Sequence, residues 1–169
     1  MNKIIIFSIV LMKIAVFDVD DTLIKHAINS ESYYTGVVRS NFKDLLSSKN
    51  YEKVYLYTNG TYEHGRSVAK HLGIIEDISY IYARDNLKTE LKNNHMKPSL
   101  KSFDFVNTSI GIDSGSDSND IYFFDDLKKN LEVAKEIGWN TVLIQPNGIT
   151  EEYIDYVYPN IYSALISMV

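Results

Sequence analysis

Residues 14–23 read IAVFDVDDTL. Four apolar residues, Ile14 to Phe17, run straight into a cluster of acids, Asp18, Asp20 and Asp21, closed by Thr22. A short, continuous apolar run bounded by polar residues fits a strand buried on both faces of a parallel sheet. Open parallel sheets hold their ligands at the carboxyl ends of the strands. The acids of this stretch therefore stand where such a fold builds a site.

Downstream, the pattern alternates. Glu31 to Ser48 carries apolar residues at Val37, Val38, Phe42, Leu45 and Leu46, a helical spacing. Lys53 to Thr58 reads as a second strand, followed by the turn signal Asn59-Gly60. Tyr62 to Leu72 predicts a helix with Val68, Ala69 and Leu72 on one stripe and Gly73 as its stop. Tyr80 to Ala83 is a third short strand; Gly60 to Lys97 otherwise holds one helix and a loop. Pro98 suits the first turn of a helix reaching about Thr108. Asp113 to Asp120 is a loop by composition, and Ile121 to Phe124 a fourth strand. Leu127, Leu131, Ala134 and Ile137 mark the inner stripe of a helix closed by Gly138. Thr141 to Ile144 is a fifth strand, and Glu151 to Met168 one helix or two, broken near Pro159. Strands alternating with helices predict an α/β fold, a mostly parallel central sheet flanked by helices.

Upstream, Lys3 to Phe17 reads KIIIFSIVLMKIAVF. Lys13 interrupts the run and no small-residue cleavage site follows, which weighs against a secretory signal. Residues 1–11 read as an extension preceding an alternative start at Met12, with an added edge strand as the other option. Residues 12–169 then form a single domain, as the 169-residue, 19.4 kDa length suggests. No cysteine is present, which removes disulfides, thiolate metal sites and a cysteine nucleophile together. The net charge of -5 weighs against a nucleic-acid-coating protein. No uncharged apolar run has the length of a membrane span, and the expected location is cytoplasmic.

The strand ends deliver a particular chemistry. After the first come Asp18, Asp20, Asp21 and Thr22; after the second, Thr58, Asn59 and Gly60; after the third, Arg84 and Asp85; after the fourth, Asp125 and Asp126. Lys97 precedes the helix before the fourth strand. Carboxylates held together raise one another's pKa unless a cation neutralises them. All-oxygen ligands select a hard cation, and Mg²⁺ fits best because it pairs with a substrate phosphate. Thr58, the backbone N–H groups near Asn59 and Gly60, and Lys97 can then hold phosphate oxygens. The bland alternatives are a solvated Lys97 and an acidic pair that merely caps the next helix. The histidines offer no zinc site: His64 and His71 lie about 10 Å apart along one helix. Trp139 reads as core packing, and Arg84 either reaches the substrate or pairs with Asp85.

Phe17-Asp18-Val19-Asp20-Asp21-Thr22 resembles the DxDxT signature of the haloacid dehalogenase (HAD) superfamily of phosphohydrolases. Tyr57-Thr58-Asn59, Lys97-Pro98 and Phe123-Phe124-Asp125-Asp126 resemble its other three motifs, in order. The wording, including YTNGTYEHGRSVAKHLGI, is most similar to the pyrimidine 5′-nucleotidase-like branch. The resemblance implies a Rossmann-like HAD core with Asp18 as the nucleophile that forms an aspartyl-phosphate and Asp20 as general acid and base. It implies catalytic and substrate-binding roles for Thr58 and Lys97, with Asn59 and Gly60 at the phosphate. It implies Mg²⁺ on Asp18, Asp125 and Asp126, with the backbone carbonyl of Asp20 as a further ligand. Thr22 would support the turn, Asp126 would double as a helix cap, and Asn130 would support the acidic pair.

The spacing departs from the nucleotidase pattern at the cap. Only about 35 residues separate Thr22 from Thr58, most of them used by one helix and one strand. The domain is therefore expected to be capless or to carry a minimal flap at Lys25 to Tyr34, where Tyr33 or Tyr34 could stack on a base. A neighbouring copy in a homo-oligomer could cover the open site. The function expected is a Mg²⁺-dependent phosphatase acting on a small phosphorylated metabolite such as a nucleoside 5′-monophosphate. The first alternative is a capless phosphatase acting on nucleic-acid ends or phosphoproteins. The second is a catalytically idle HAD fold used for binding. A bacterial receiver domain fits poorly, because its phosphorylated Asp follows the third strand.

Overall fold

The computed structural model describes residues 12–25, 41–92, 95–114 and 119–168. Six strands form one sheet: β1 (Met12–Phe17), β2 (Lys53–Tyr57), β3 (Tyr80–Tyr82), β4 (Asn119–Asp125), β5 (Asn140–Ile144) and β6 (Tyr156–Tyr158). Their order is β3-β2-β1-β4-β5-β6, and every pairing is parallel. Six α-helices and one 3-10 turn (Ile75–Asp77) accompany them among the described residues: α1 (Phe42–Ser47), α2 (Tyr62–His71), α3 (Arg84–Leu91), α4 (Leu100–Ser114), α5 (Lys128–Glu136) and α6 (Ile161–Ser167). This is a Rossmann-like α/β fold.

The central strands lack polar alternation because both their faces are covered. Ala15 and Phe17 of β1 pack with Leu56, with Val68 and Ala69 of α2, and with Ile161 and Leu165 of α6. Ile14 and Val16 face the other way, towards Tyr55, Tyr57, Phe103 and Val106 of α4, and Leu131 of α5. Phe42 and Leu46 of α1 join the first layer, and Leu87 of α3 the second. Trp139 is core packing: it is buried against Phe103 and Phe123, and its Nε1–H donates to Asn107 Oδ1 at 2.8 Å.

The strand order places a topological switch at the middle of the sheet. From β1 the chain proceeds outward through β2 to β3, then returns to β4 on the opposite side of β1. The crevice at the carboxyl ends of β1 and β4 is the place where such sheets bind ligands. Every element among the described residues belongs to the sheet or to a helix layer, and none forms a cap over that crevice.

Four details differ from the sequence reading. The segment between β3 and Lys97 contains α3, not a loop; only Leu87 of its eight residues is buried, too little for an apolar stripe. The final segment contains the edge strand β6 before α6. The helix expected at Pro98 starts at Leu100 and runs on to Ser114. Leu127 lies outside α5 and is 55% exposed, so the buried stripe starts later, at Leu131. Of the helix expected over Glu31–Ser48, α1 is the described part. The N-terminal extension and the flap beyond Lys25, with Tyr33 and Tyr34, lie outside the described residues. No helix among the described residues is long and apolar enough to cross a membrane.

Candidate active site

Asp18 is the first residue beyond β1, and its N–H donates to Phe124 O at 2.9 Å, which ties the ends of β1 and β4 together. The chain then turns tightly. Leu23 N–H and Ile24 N–H both donate to Val19 O, at 2.9 and 3.2 Å. Asp21 takes a left-handed φ of 63°, a conformation that Asp tolerates better than most residues. Backbone bonds thus hold this turn. Thr22, expected to support the turn, is buried within it, and its Oγ1 has no hydrogen-bond partner among the described residues.

Lys97 is the hinge of the site. Its side chain is 1% exposed, and Nζ lies 2.7 Å from Asp18 Oδ1 and 2.7 Å from Asp125 Oδ2. The rings of Tyr57 and Phe123 flank the ammonium at 5.1 and 5.2 Å. A solvated lysine is ruled out by this burial. Asn59 fixes the backbone of Lys97 from both sides: Asn59 Nδ2 donates to Lys97 O at 2.9 Å, and Lys97 N–H donates to Asn59 Oδ1 at 3.0 Å. The Asn59 side chain therefore positions the lysine across 38 residues of sequence.

Asp125 ends β4, fully buried. Asn130 Nδ2 reaches both its oxygens at 3.0 Å, and Leu127 N–H donates to Oδ1 at 2.8 Å. Asp125, not Asp126, therefore serves the start of the next helix, and of the acidic pair it is Asp125 that Asn130 supports. One oxygen each from Asp18, Asp125 and Asp126 lie within 4.8 Å of one another. The Asp20 side chain is not part of that trio. Its Oδ1 lies 2.7 Å from His64 Nε2.

Charge dominates this crevice. Three carboxylates around one ammonium leave an excess of two negative charges. Burial, reinforced by Asp125, pushes the Asp18 carboxyl up to about 7 despite the opposing pull of Lys97. Burial and Asp125 likewise lift Asp126 to about 6. Burial alone would lower Lys97, but Asp125 and Asp18 outweigh it and hold the ammonium above its ordinary range. An all-oxygen trio with two uncompensated charges fits a hard divalent cation such as Mg²⁺.

That balance has a measurable consequence. Asp18 and Asp126 have folded-state values above the 3.8 of the unfolded chain. The native state therefore binds more protons than the unfolded state, and stability falls as pH rises from about 4 to about 7. A divalent cation held by the trio would compete with those protons, so Mg²⁺ is expected to raise the melting temperature more at about pH 8 than at about pH 5. Thermal melts in chelator and in Mg²⁺ at both pH values check this. An equal Mg²⁺ shift at both would contradict it.

On the other wall stands Thr58, buried at the end of β2, with Oγ1 accepting from Gly60 N–H at 2.9 Å. The Gly60 amide is thus spent on Thr58 and not on the open crevice. Gly60 itself lies in close quarters: an added Cβ would sit 3.0 Å from His64 Cδ2 and 3.2 Å from Thr58 Oγ1. His64, which contacts Asp20, lies outside the four motifs, and the spacing of the histidines gives no sign of it. The available signal was its place in the first turn of the helix following Thr58-Asn59-Gly60. Asp85, the other acid near this edge, accepts the N–H of Tyr62 at 2.8 Å.

Comparison with known proteins agrees with this architecture. The fold is similar to that of a dehalogenase, at 23% identity and a TM-score of 0.58 over 82% of this chain and 57% of that one. A magnesium-bound HAD-hydrolase from Bacillus subtilis gives 13% identity and a TM-score of 0.58, over 75% of this chain and 52% of that one. A haloacid dehalogenase-like family hydrolase from Streptococcus pneumoniae gives 16% and 0.54, over 87% and 93%. The chain thus spans little more than half the length of the first two and nearly all of the third. No curated protein matches. None of these comparisons supports the nucleotidase-like branch in particular. The family model of the NLI interacting factor-like phosphatases matches residues 13–154, most of the chain, and the protein belongs to that family within the HAD fold.

Proposed function

We propose that the protein is a Mg²⁺-dependent phosphomonoester hydrolase working through an aspartyl-phosphate on Asp18. The observation that carries this reading is the meeting of Asp18, Asp125 and Asp126 around the buried Lys97 at the switch point of the sheet. Burial of mutually repelling acids is costly and serves no packing purpose. That weighs against an idle scaffold.

Mg²⁺ held by Asp18, Asp125 and Asp126, with the Asp20 backbone carbonyl as the resemblance suggests, would offset charge on the phosphoryl oxygens. Asp18 attacks phosphorus in line; its new O–P bond forms as the ester P–O bond breaks. Asp20 gives its proton to the departing oxygen. Asp20 then takes a proton from the water that attacks the acyl-phosphate, which frees phosphate and restores Asp18. Lys97 offsets negative charge on the nucleophile and the transferring group. Thr58 Oγ1 accepts from Gly60, which leaves its own proton for a phosphate oxygen.

The substrate class proposed is a small phosphorylated metabolite, such as a nucleoside 5′-monophosphate. A second reading, favoured by the lack of a cap among the described residues, is a phosphoprotein or a phosphorylated nucleic-acid end. Turnover of an aryl phosphate in Mg²⁺ and in chelator tests the activity. A panel of nucleotides, sugar phosphates, phosphopeptides and end-phosphorylated oligonucleotides separates the substrate classes. Absence of turnover on the whole panel by folded protein would refute the enzyme reading. Asp20→Asn is expected to lower kcat by roughly 10²–10⁴-fold. Its Mg²⁺-induced thermal shift should be unchanged, since its carboxylate is outside the acidic trio.

A further inference from the structure

His64 enters the crevice from α2 without belonging to any of the four motifs. Thr61 caps that helix, and its Oγ1 accepts His64 N–H at 3.2 Å, which fixes the histidine backbone in the first turn. The imidazole Nε2 meets Asp20 Oδ1 at 2.7 Å, with the two side chains 20% and 28% exposed. The other oxygen, Asp20 Oδ2, lies 3.5 Å from where a Cβ on Gly60 would stand, and that point is 3.2 Å from Thr58 Oγ1. Asp20 is therefore held through Oδ1 from α2, with Oδ2 on the side of Gly60.

We propose that His64 is a positioning residue for Asp20, donating Nε2–H to Oδ1 so that the transferable proton resides on Oδ2, the oxygen facing the substrate. The proposal rests on the phosphatase reading above. A free carboxyl group carries its proton on either oxygen and turns about its last bond. A donor aimed at Oδ1 excludes a proton there and stops the rotation. The Oδ2 proton then passes to the ester oxygen as that oxygen leaves phosphorus with the bonding electron pair. Oδ2 recovers a proton from the water that displaces phosphate from Asp18. His64 keeps its own proton throughout. Gly60 permits the arrangement, because any side chain there would press on both His64 and Thr58.

The leaving group separates this role from simple support of the fold. Dinitrophenyl phosphate needs no proton to depart, whereas glycerol phosphate does. In kcat/KM, which reports the steps up to phosphorylation of Asp18, His64→Ala is expected to lose roughly 10–100-fold on glycerol phosphate and under about 3-fold on dinitrophenyl phosphate. His64→Gln, which retains an N–H donor, should recover part of the glycerol phosphate activity. If the Ala variant does not fold, His64→Phe fills the space without a donor and gives the same comparison. Equal losses on both substrates, or no loss on either, would overturn the proposal while leaving the phosphatase reading intact. Failure of that reading looks different: wild-type protein hydrolyses neither substrate, or Asp18→Asn remains as active as wild type.

Discussion

Asp18→Asn is expected to abolish phosphatase turnover, by at least roughly 10⁴-fold, while the protein stays folded. An amide keeps the size and one acceptor of the carboxylate but cannot attack phosphorus to form a stable acyl-phosphate. Lys97 retains its partner Asp125 at 2.7 Å and can still donate to the amide oxygen. The substitution also removes one of three crowded carboxylates. Asp18 is the acid that burial drives furthest from its ordinary range, up to about 7. Metal-free Asp18→Asn should therefore melt at or above the wild-type temperature at about pH 8. The two readouts point in opposite directions, which a general disruption of the fold would not produce. Retained turnover would refute Asp18 as nucleophile; a large fall in melting temperature would refute the repulsion argument.

The parts of this protein that sequence made legible are those encoded by short local patterns. Ile14 to Phe17 and Ile121 to Phe124 are uninterrupted apolar runs because both sheet faces are covered. The acids behind them are displayed because strands end at the ligand side. What stayed hidden depends on partners far away in the chain. Asn59 reads as offering a backbone N–H at the strand end, and the grip of its side chain on the Lys97 backbone, 38 residues away, has no local sign. His64 pairs with Asp20 across 44 residues. The burial of Lys97 follows from Tyr57 and Phe123 closing over it, and a lysine in a lysine-rich chain gives no local sign of that. Helix α3 and strand β6 escaped because an edge element with few buried residues needs no apolar periodicity.

Lys97→Met is expected to cost about 3–5 kcal/mol of stability at about pH 8 without metal, the range found when one partner of a buried ion pair is removed. Methionine fills the same channel between Tyr57 and Phe123, so packing is nearly preserved and the loss reports charge. Asp18 and Asp125 each lose their 2.7 Å cation, and Asp126 remains beside them. Without the ammonium, the folded-state value of Asp18 rises still further above 3.8, so stability falls more steeply with rising pH than in wild type. The deficit should shrink at about pH 5, where protons neutralise the acids, and in Mg²⁺, which supplies the missing positive charge. Asp18→Asn should add more stability to Lys97→Met than it adds to wild type, and restore none of the turnover; that excess is the coupling energy between the two positions. Denaturant titrations of the single and double variants at both pH values measure it. A Lys97→Met protein as stable as wild type at about pH 8, with no pH-dependent deficit, would mean that the ammonium does not hold these carboxylates together. The electrostatic account of the site would fall with it.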